Sequence, residues 1–104
     1  IYRKELSSLE EFVIKGMPLG AAGNFPYELR ETEINSGDTI LLMSDGFPEL
    51  FNKEKNMFGY KNVQDEFLKC AEQSPDNIIK HLLSQIKTWT GSKAIDDDIT
   101  FVVV

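Results

Sequence analysis

The apolar run at residues 39–43, TILLM, stops on Ser44-Asp45-Gly46, with Pro48 close behind. Asp and Gly are the residue types least suited to extending a buried strand, so the chain must either turn here or use these residues as a site. Both readings stand on the residues alone. A second run, residues 99–104 (ITFVVV), is β-branched and aromatic and predicts an inner strand. Asp96-Asp97-Asp98 precedes it directly, so two apolar strands each carry carboxylates at one terminus. If the strands pair antiparallel, the end of one lies beside the start of the other, and the acids meet at one rim.

Two amphipathic segments separate these strands. Residues 60–73 place Val63, Phe67 and Cys70-Ala71 at helical spacing, with Lys61, Asp65, Glu66, Lys69 and Glu72 opposite them. Ser74-Pro75-Asp76 restarts a helix, with Ser as N-cap, Pro at the first position and an acid in the first turn. Its stripe is Ile78, Leu82, Ile86 and Trp89, with Ile79 and Leu83 beside it, and Gly91 is the expected C-cap. His81 falls off that stripe and is expected to be solvated.

The N-terminal half reads less clearly. Residues 1–3 predict the end of a strand, and residues 9–14 (LEEFVI) suit a strand better than the short helical turn that could follow Ser7-Ser8. Residues 16–24 (GMPLGAAGN) form a loop by composition. Residues 27–34 alternate roughly before the turn sequence Asn35-Ser36-Gly37-Asp38, which predicts a hairpin with residues 39–43. Pro48 can open a short helix over residues 49–52, after which NKEKN turns the chain. Strands close in sequence followed by helices and a last strand predict an α+β fold, with antiparallel β-sheets flanked by helices, in preference to a doubly wound parallel sheet.

Composition narrows the function. With 17 acidic against 11 basic residues, a net charge of −6 and no large Lys/Arg cluster, the chain has no footprint for a nucleic-acid backbone. A single cysteine, Cys70, excludes an intramolecular disulfide and suits a reducing compartment, where its expected role is that of a small buried apolar residue. No run approaches the roughly 20 apolar residues of a membrane span, and the first residues lack a signal-peptide apolar region, so a cytoplasmic location is expected.

Three adjacent carboxylates repel one another and are poor strand formers, and a cation would relieve them; a solvated turn is the plainer alternative. Clustered carboxylate oxygens suit Mg²⁺ or Mn²⁺, and the chain holds no His/Cys set for zinc. A receiver domain, with Asp45 as phosphoacceptor, requires alternating β/α units and an early acidic pair, which Glu10-Glu11 and the hairpin signal fit poorly.

GMPLG, INSGDTILLMSDGFPELFN, MFGY and DDDITFVVV, in that order and covering residues 16–104, resemble the C-terminal part of the bacterial PPM-type serine/threonine phosphatase domain, in the sporulation-protein-E and RsbU-like group. The resemblance implies a pair of antiparallel sheets flanked by helices and a binuclear Mn²⁺ or Mg²⁺ centre. It implies Asp45 and Asp97 as metal ligands, Asp98 adjacent, Gly46 contributing its backbone, Asp96 an extra acid outside the pattern, and Gly20 and Gly59 as structural glycines. The implied function is metal-dependent hydrolysis of phosphoserine or phosphothreonine on a regulator of the anti-anti-sigma type, governed by upstream sensor domains. The family's upstream half, with its metal-bridging Asp-Gly motif, has no counterpart in these residues. Residues 1–104 are therefore expected to be the C-terminal part of such a domain, a poor catalyst in isolation, and prone to self-association through uncovered strand edges. A non-catalytic interaction module or pseudophosphatase fragment is the alternative.

Overall fold

The computed structural model describes residues 1–14, 16–92, 94–95 and 97–104. Along the chain run β1 (Tyr2–Arg3), a 3₁₀ turn (Lys4–Leu6), β2 (Ser8–Leu9), β3 (Leu41–Met43), α1 (Tyr60–Cys70), α2 (Pro75–Thr90) and β4 (Phe101–Val103). β1 pairs antiparallel with β2, and β3 pairs antiparallel with β4 in the register Leu41↔Val103, Leu42↔Val102, Met43↔Phe101. The fold is α+β, with two small antiparallel sheets and two helices, as the order of periodicities predicts.

The 3.6-residue periodicities place both helices. α1 buries Val63, Phe67 and Cys70, and α2 buries Ile78, Leu82 and Ile86, with Thr90 one turn further on. α1 stops at Cys70 and not at residue 73. Ser74 precedes a proline and holds the extended ψ of 151° which that position favours, so the chain restarts there. Ser74 does occupy the N-cap of α2, but its backbone carbonyl, not its hydroxyl, accepts the amides of Asn77 and Ile78. Gly59, at φ +84°, occupies the N-cap of α1, a conformation that costs glycine little and a side chain much. Gly20 shares that φ, in keeping with the structural roles expected of both. Gly91 closes α2 by donating its amide to Lys87.

Burial pushes the Cys70 thiol up from its ordinary pKa, and it sits inert among core residues. His81 departs from expectation. It is half-buried, and its Nε2 lies 2.9 Å from Glu66 Oε2, an ion-pair geometry that ties α2 to α1. Helical spacing shows which face His81 occupies but not that a carboxylate on α1 meets it.

The β pairings differ most from expectation. Residues 27–34 form no strand. The turn at 35–38 is present, with the Asp38 amide donating to the Asn35 carbonyl, but the residue beyond it pairs elsewhere: Tyr2 and Thr39 exchange backbone hydrogen bonds of 2.8 and 3.1 Å. Residues 28–33 (ELRETE) put charge on both faces and offer no apolar side to a sheet. Side chains hold the segment instead, the Arg3 guanidinium donating to the Glu33 carbonyl and to Thr32 Oγ1. Of residues 9–14, only Leu9 is in a strand. The helix expected over residues 49–52 is replaced by turns. The carbonyls of Pro48 and Leu50 accept from Gly59 and Phe58, and Asn52 Oδ1 caps the NKEKN turn through the Glu54 and Asn56 amides. Among the described residues β4 has one neighbour, β3, and so is not an inner strand of this chain.

α1 and α2 cover one face of the β3–β4 sheet. Leu41, Met43, Phe101 and Val103 turn towards the buried cluster of Phe47, Phe58, Val63, Phe67, Ile78 and Leu82, while Leu42 and Val102 on the opposite face are 60% and 51% exposed. Phe47 stands at the centre of an aromatic chain, 5.2 Å from Phe58 and 5.7 Å from Phe101, and Phe58 lies 5.4 Å from Trp89. The Thr39 hydroxyl donates to the Ala71 carbonyl at 2.8 Å and ties the sheet to the end of α1.

Asp38 knits the N-terminal strands to the turn before β3. The Asn35 amide, the Arg3 guanidinium and the Lys4 amide all donate to its carboxylate and hold its pKa below the ordinary value. A carboxylate whose folded pKa is depressed contributes stability that is fully present above its unfolded value near 4 and is lost as pH falls through the lower folded value. Asp38→Asn is therefore expected to lower the melting temperature at pH 7 and to flatten its decline below about pH 4, in thermal melts across pH 3–7. Parallel wild-type and variant curves would show that the carboxylate carries no such term.

Candidate metal centre

The β3–β4 ladder continues past its last named rung. The Ser44 amide donates to the Thr100 carbonyl at 2.9 Å, the Thr100 amide donates to Ser44 Oγ at 3.1 Å, and Ser44 Oγ lies 3.4 Å from the Asp98 carbonyl it faces. Residues 54 and 56 apart in sequence are thereby locked together at one end of the sheet. The turn carrying Asp45 and the turn carrying Asp97 and Asp98 adjoin.

Each turn has a local cause. After Ser44 the chain leaves the strand: the Glu49 amide donates to the Asp45 carbonyl at 3.0 Å, and Phe47 and Pro48 go into the core. Burying residues 46–48 behind it leaves the Asp45 side chain exposed at the rim. Gly46 is buried directly against the facing turn, and a Cβ on it would stand 2.3 Å from the Asp98 carbonyl oxygen. This close approach of two backbones explains the glycine, which a strand-ending turn alone does not require. On the other side, the Asp98 amide donates to Asp97 Oδ1 at 2.8 Å, a contact between neighbours that orients one oxygen of Asp97 along its own backbone. Asp97 and Asp98 are exposed, and their turn borders a groove whose wall includes Ile79, Ile86, Ile99 and Phe101.

Of the residues expected at a metal site, Asp45, Gly46, Asp97 and Asp98 thus lie on adjoining turns, and Asp96 lies outside the described residues. The donors are hard carboxylate oxygens of the kind that Mn²⁺ and Mg²⁺ prefer. Among the described residues, however, no three His, Cys, Asp or Glu side chains are grouped so as to hold a metal ion. The donor chemistry fits a divalent cation, and the donor number fits part of a coordination shell. Sequence reasoning singled out the acids and the glycine and passed over Ser44, whose contacts across the ladder only pairing reveals.

The family model for Stage II sporulation protein E matches residues 1–104. Stage II sporulation protein E of Bacillus subtilis (strain 168) is 28% identical to the chain over 88 residues, which are 85% of this chain, and the chain spans 10% of that protein's length. Among solved structures, the SiaA-PP2C domain of Pseudomonas aeruginosa is similar with a TM-score of 0.57 at 23% identity, over 62% of this chain and 27% of that one. At that identity the likeness is one of fold.

The close approach of the two turns makes Gly46 a sensitive position. Gly46→Ala requires the Asp98 carbonyl to move, which is expected to cost about 1–3 kcal/mol in denaturant titrations and to shift the backbone resonances of residues 97–99 more than those of α2. An unperturbed Asp98 resonance would contradict the close approach.

Proposed function

The chain belongs to the Stage II sporulation protein E family, and from that membership we propose that it is part of a metal-dependent phosphatase hydrolysing phosphoserine or phosphothreonine on a regulatory protein. The observation that carries the reading is the closure of the Ser44-Asp45-Gly46 turn against Asp98-Ile99-Thr100, which sets exposed carboxylates on adjoining turns.

Charge supplies the argument. A phosphate monoester is a dianion, and three exposed carboxylates on adjoining turns of a chain of net charge −6 repel it. The same carboxylates attract divalent cations. When bound, Mn²⁺ or Mg²⁺ neutralises phosphate oxygens and acidifies water for in-line attack at phosphorus. Asp45 and Asp97 hold the cations in this reading, Asp98 adds charge beside them, and the Gly46 backbone borders the site. The Asp98 amide donates to Asp97 Oδ1, and in this reading the second oxygen of Asp97 takes the ligand role. The buried aromatic cluster under Phe47 supplies the rigid floor on which the Asp45 turn rests.

The substrate class in this reading is a small phosphorylated regulator of the anti-anti-sigma type, with sensor domains governing the activity. No helix among the described residues is long and apolar enough to cross a membrane, so these residues supply no helical span of their own.

Removing a ligand relieves repulsion among the carboxylates as it removes a metal contact. In the full-length gene product, Asp45→Ala and Asp97→Ala are expected to abolish Mn²⁺-dependent turnover of a phosphoserine peptide, while the melting temperature in chelator stays equal or rises. Wild-type rates from either variant would refute its assigned role.

The absence of three grouped donors among the described residues and the exposed face of the β3–β4 sheet also bear on the 104-residue chain by itself. Its turnover of the same peptide with Mn²⁺ is expected at background, and sedimentation should show self-association rising with concentration. A monodisperse monomer working at an ordinary enzymatic rate, about 1–10³ per second, would overturn the partial-site reading.

A further inference from the structure

Ser44 lies between the last residue of β3 and Asp45, and its side chain reaches across the sheet. The hydroxyl faces the Asp98 carbonyl at 3.4 Å and accepts from the Thr100 amide at 3.1 Å, so it spans both sides of Ile99. Its own amide donates to the Thr100 carbonyl at 2.9 Å, a rung that any residue at this position could make. The hydroxyl contacts are therefore specific to the side chain. They fall at the end of the ladder where exposed like charges on the two turns push apart. A strand end frays unless something beyond the backbone holds it, and here a two-way hydroxyl bridge does so.

We infer that Ser44 is a positioning residue for the cation centre: its hydroxyl holds the Asp45 turn against the Asp97–Asp98 turn, so that a divalent cation meets carboxylates already set in place. This rests on the metal-centre reading above. The same side chain makes no claim to ligate the cation or to touch substrate. Its effect is preorganisation, and groups that hold metal ligands in orientation typically govern about 10–100-fold in metal affinity. Alanine at 44 withdraws the acceptor from the Thr100 amide. Threonine keeps the hydroxyl, and its branched Cβ is at home at a strand end.

The test compares wild type, Ser44→Ala and Ser44→Thr in the full-length gene product. Mn²⁺ affinity is measured by titration calorimetry, and amide hydrogen exchange is measured in chelator. Ser44→Ala is expected to weaken Mn²⁺ binding by about 10-fold or more and to speed exchange at the Thr100 amide selectively, with exchange in the α2 core unchanged. Ser44→Thr is expected to restore both. An alanine variant that binds Mn²⁺ as tightly as wild type overturns the assignment, as does a threonine variant that restores neither property. A wild-type protein that binds no Mn²⁺ overturns the metal-centre reading instead. The Thr100 exchange rate, read without metal, then still decides whether the hydroxyl holds the two turns together.

Discussion

Everything at the candidate site depends on one pairing, the antiparallel ladder between Leu41–Met43 and Phe101–Val103. It joins segments separated by two helices and sets the end of one beside the start of the other. Without it, Asp45 and Asp97 would be two unrelated turn acids. With it, the Ser44 hydroxyl reaches Asp98 and Thr100, and Gly46 nests against a carbonyl it could not approach with a side chain. The ladder is short, and the side chains packed beneath it hold it in register. Leu41, Met43, Phe101 and Val103 all turn towards the helices, so a slip of one residue would expose that set and bury its neighbours.

The helices act as a one-sided clamp on that ladder. Ile78 and Leu82 of α2 and Val63 and Phe67 of α1 are all buried, and Phe47, Phe58 and Trp89 connect the turn beneath Asp45 to the end of α2. The opposite face stays open. The chain exposes 7487 Å², against roughly 5,900 Å² for a compact monomer of its mass by the usual scaling. Its radius of gyration of 15.4 Å likewise exceeds the roughly 13 Å of a compact domain of this length. The exposed apolar side chains of Leu42, Val102 and Val104 form part of that excess and give the outer face of the sheet an apolar surface.

Charge is distributed to match. Arg3 is committed to Glu10 and Asp38, and Lys61 and Lys69 pair along α1 with Asp65 and Glu66. The acids at the rim of the β3–β4 sheet show no such pairing: among the described residues, Asp45, Asp97 and Asp98 make no salt bridge. Carboxylates on adjoining turns, with no salt bridge among the described residues, add to a local negative potential, which attracts cations and repels phosphate until cations arrive.

Helix positions, the buried stripe of α2, the burial of Cys70 and the α+β class were legible in the sequence, because each follows from side-chain spacing or local backbone chemistry within a dozen residues. Asp45, Gly46, Asp97 and Asp98 stood out in the sequence as residues out of place at the ends of apolar runs, and they lie on adjoining turns. Partners across long distances were not. The turn at 35–38 pointed to a hairpin, yet Thr39 pairs with Tyr2, because a charged segment at 28–33 has no face to bury and an apolar one elsewhere has. The one-turn helix expected after Pro48 lost its carbonyls to Phe58 and Gly59. His81 found Glu66 across a helix pair. Local periodicity decides what each segment is, since it depends only on neighbours in sequence. Tertiary structure alone decided which edges meet, because strand pairing is settled by competition among all the faces that need covering, and so it alone brought Ser44 to Asp98.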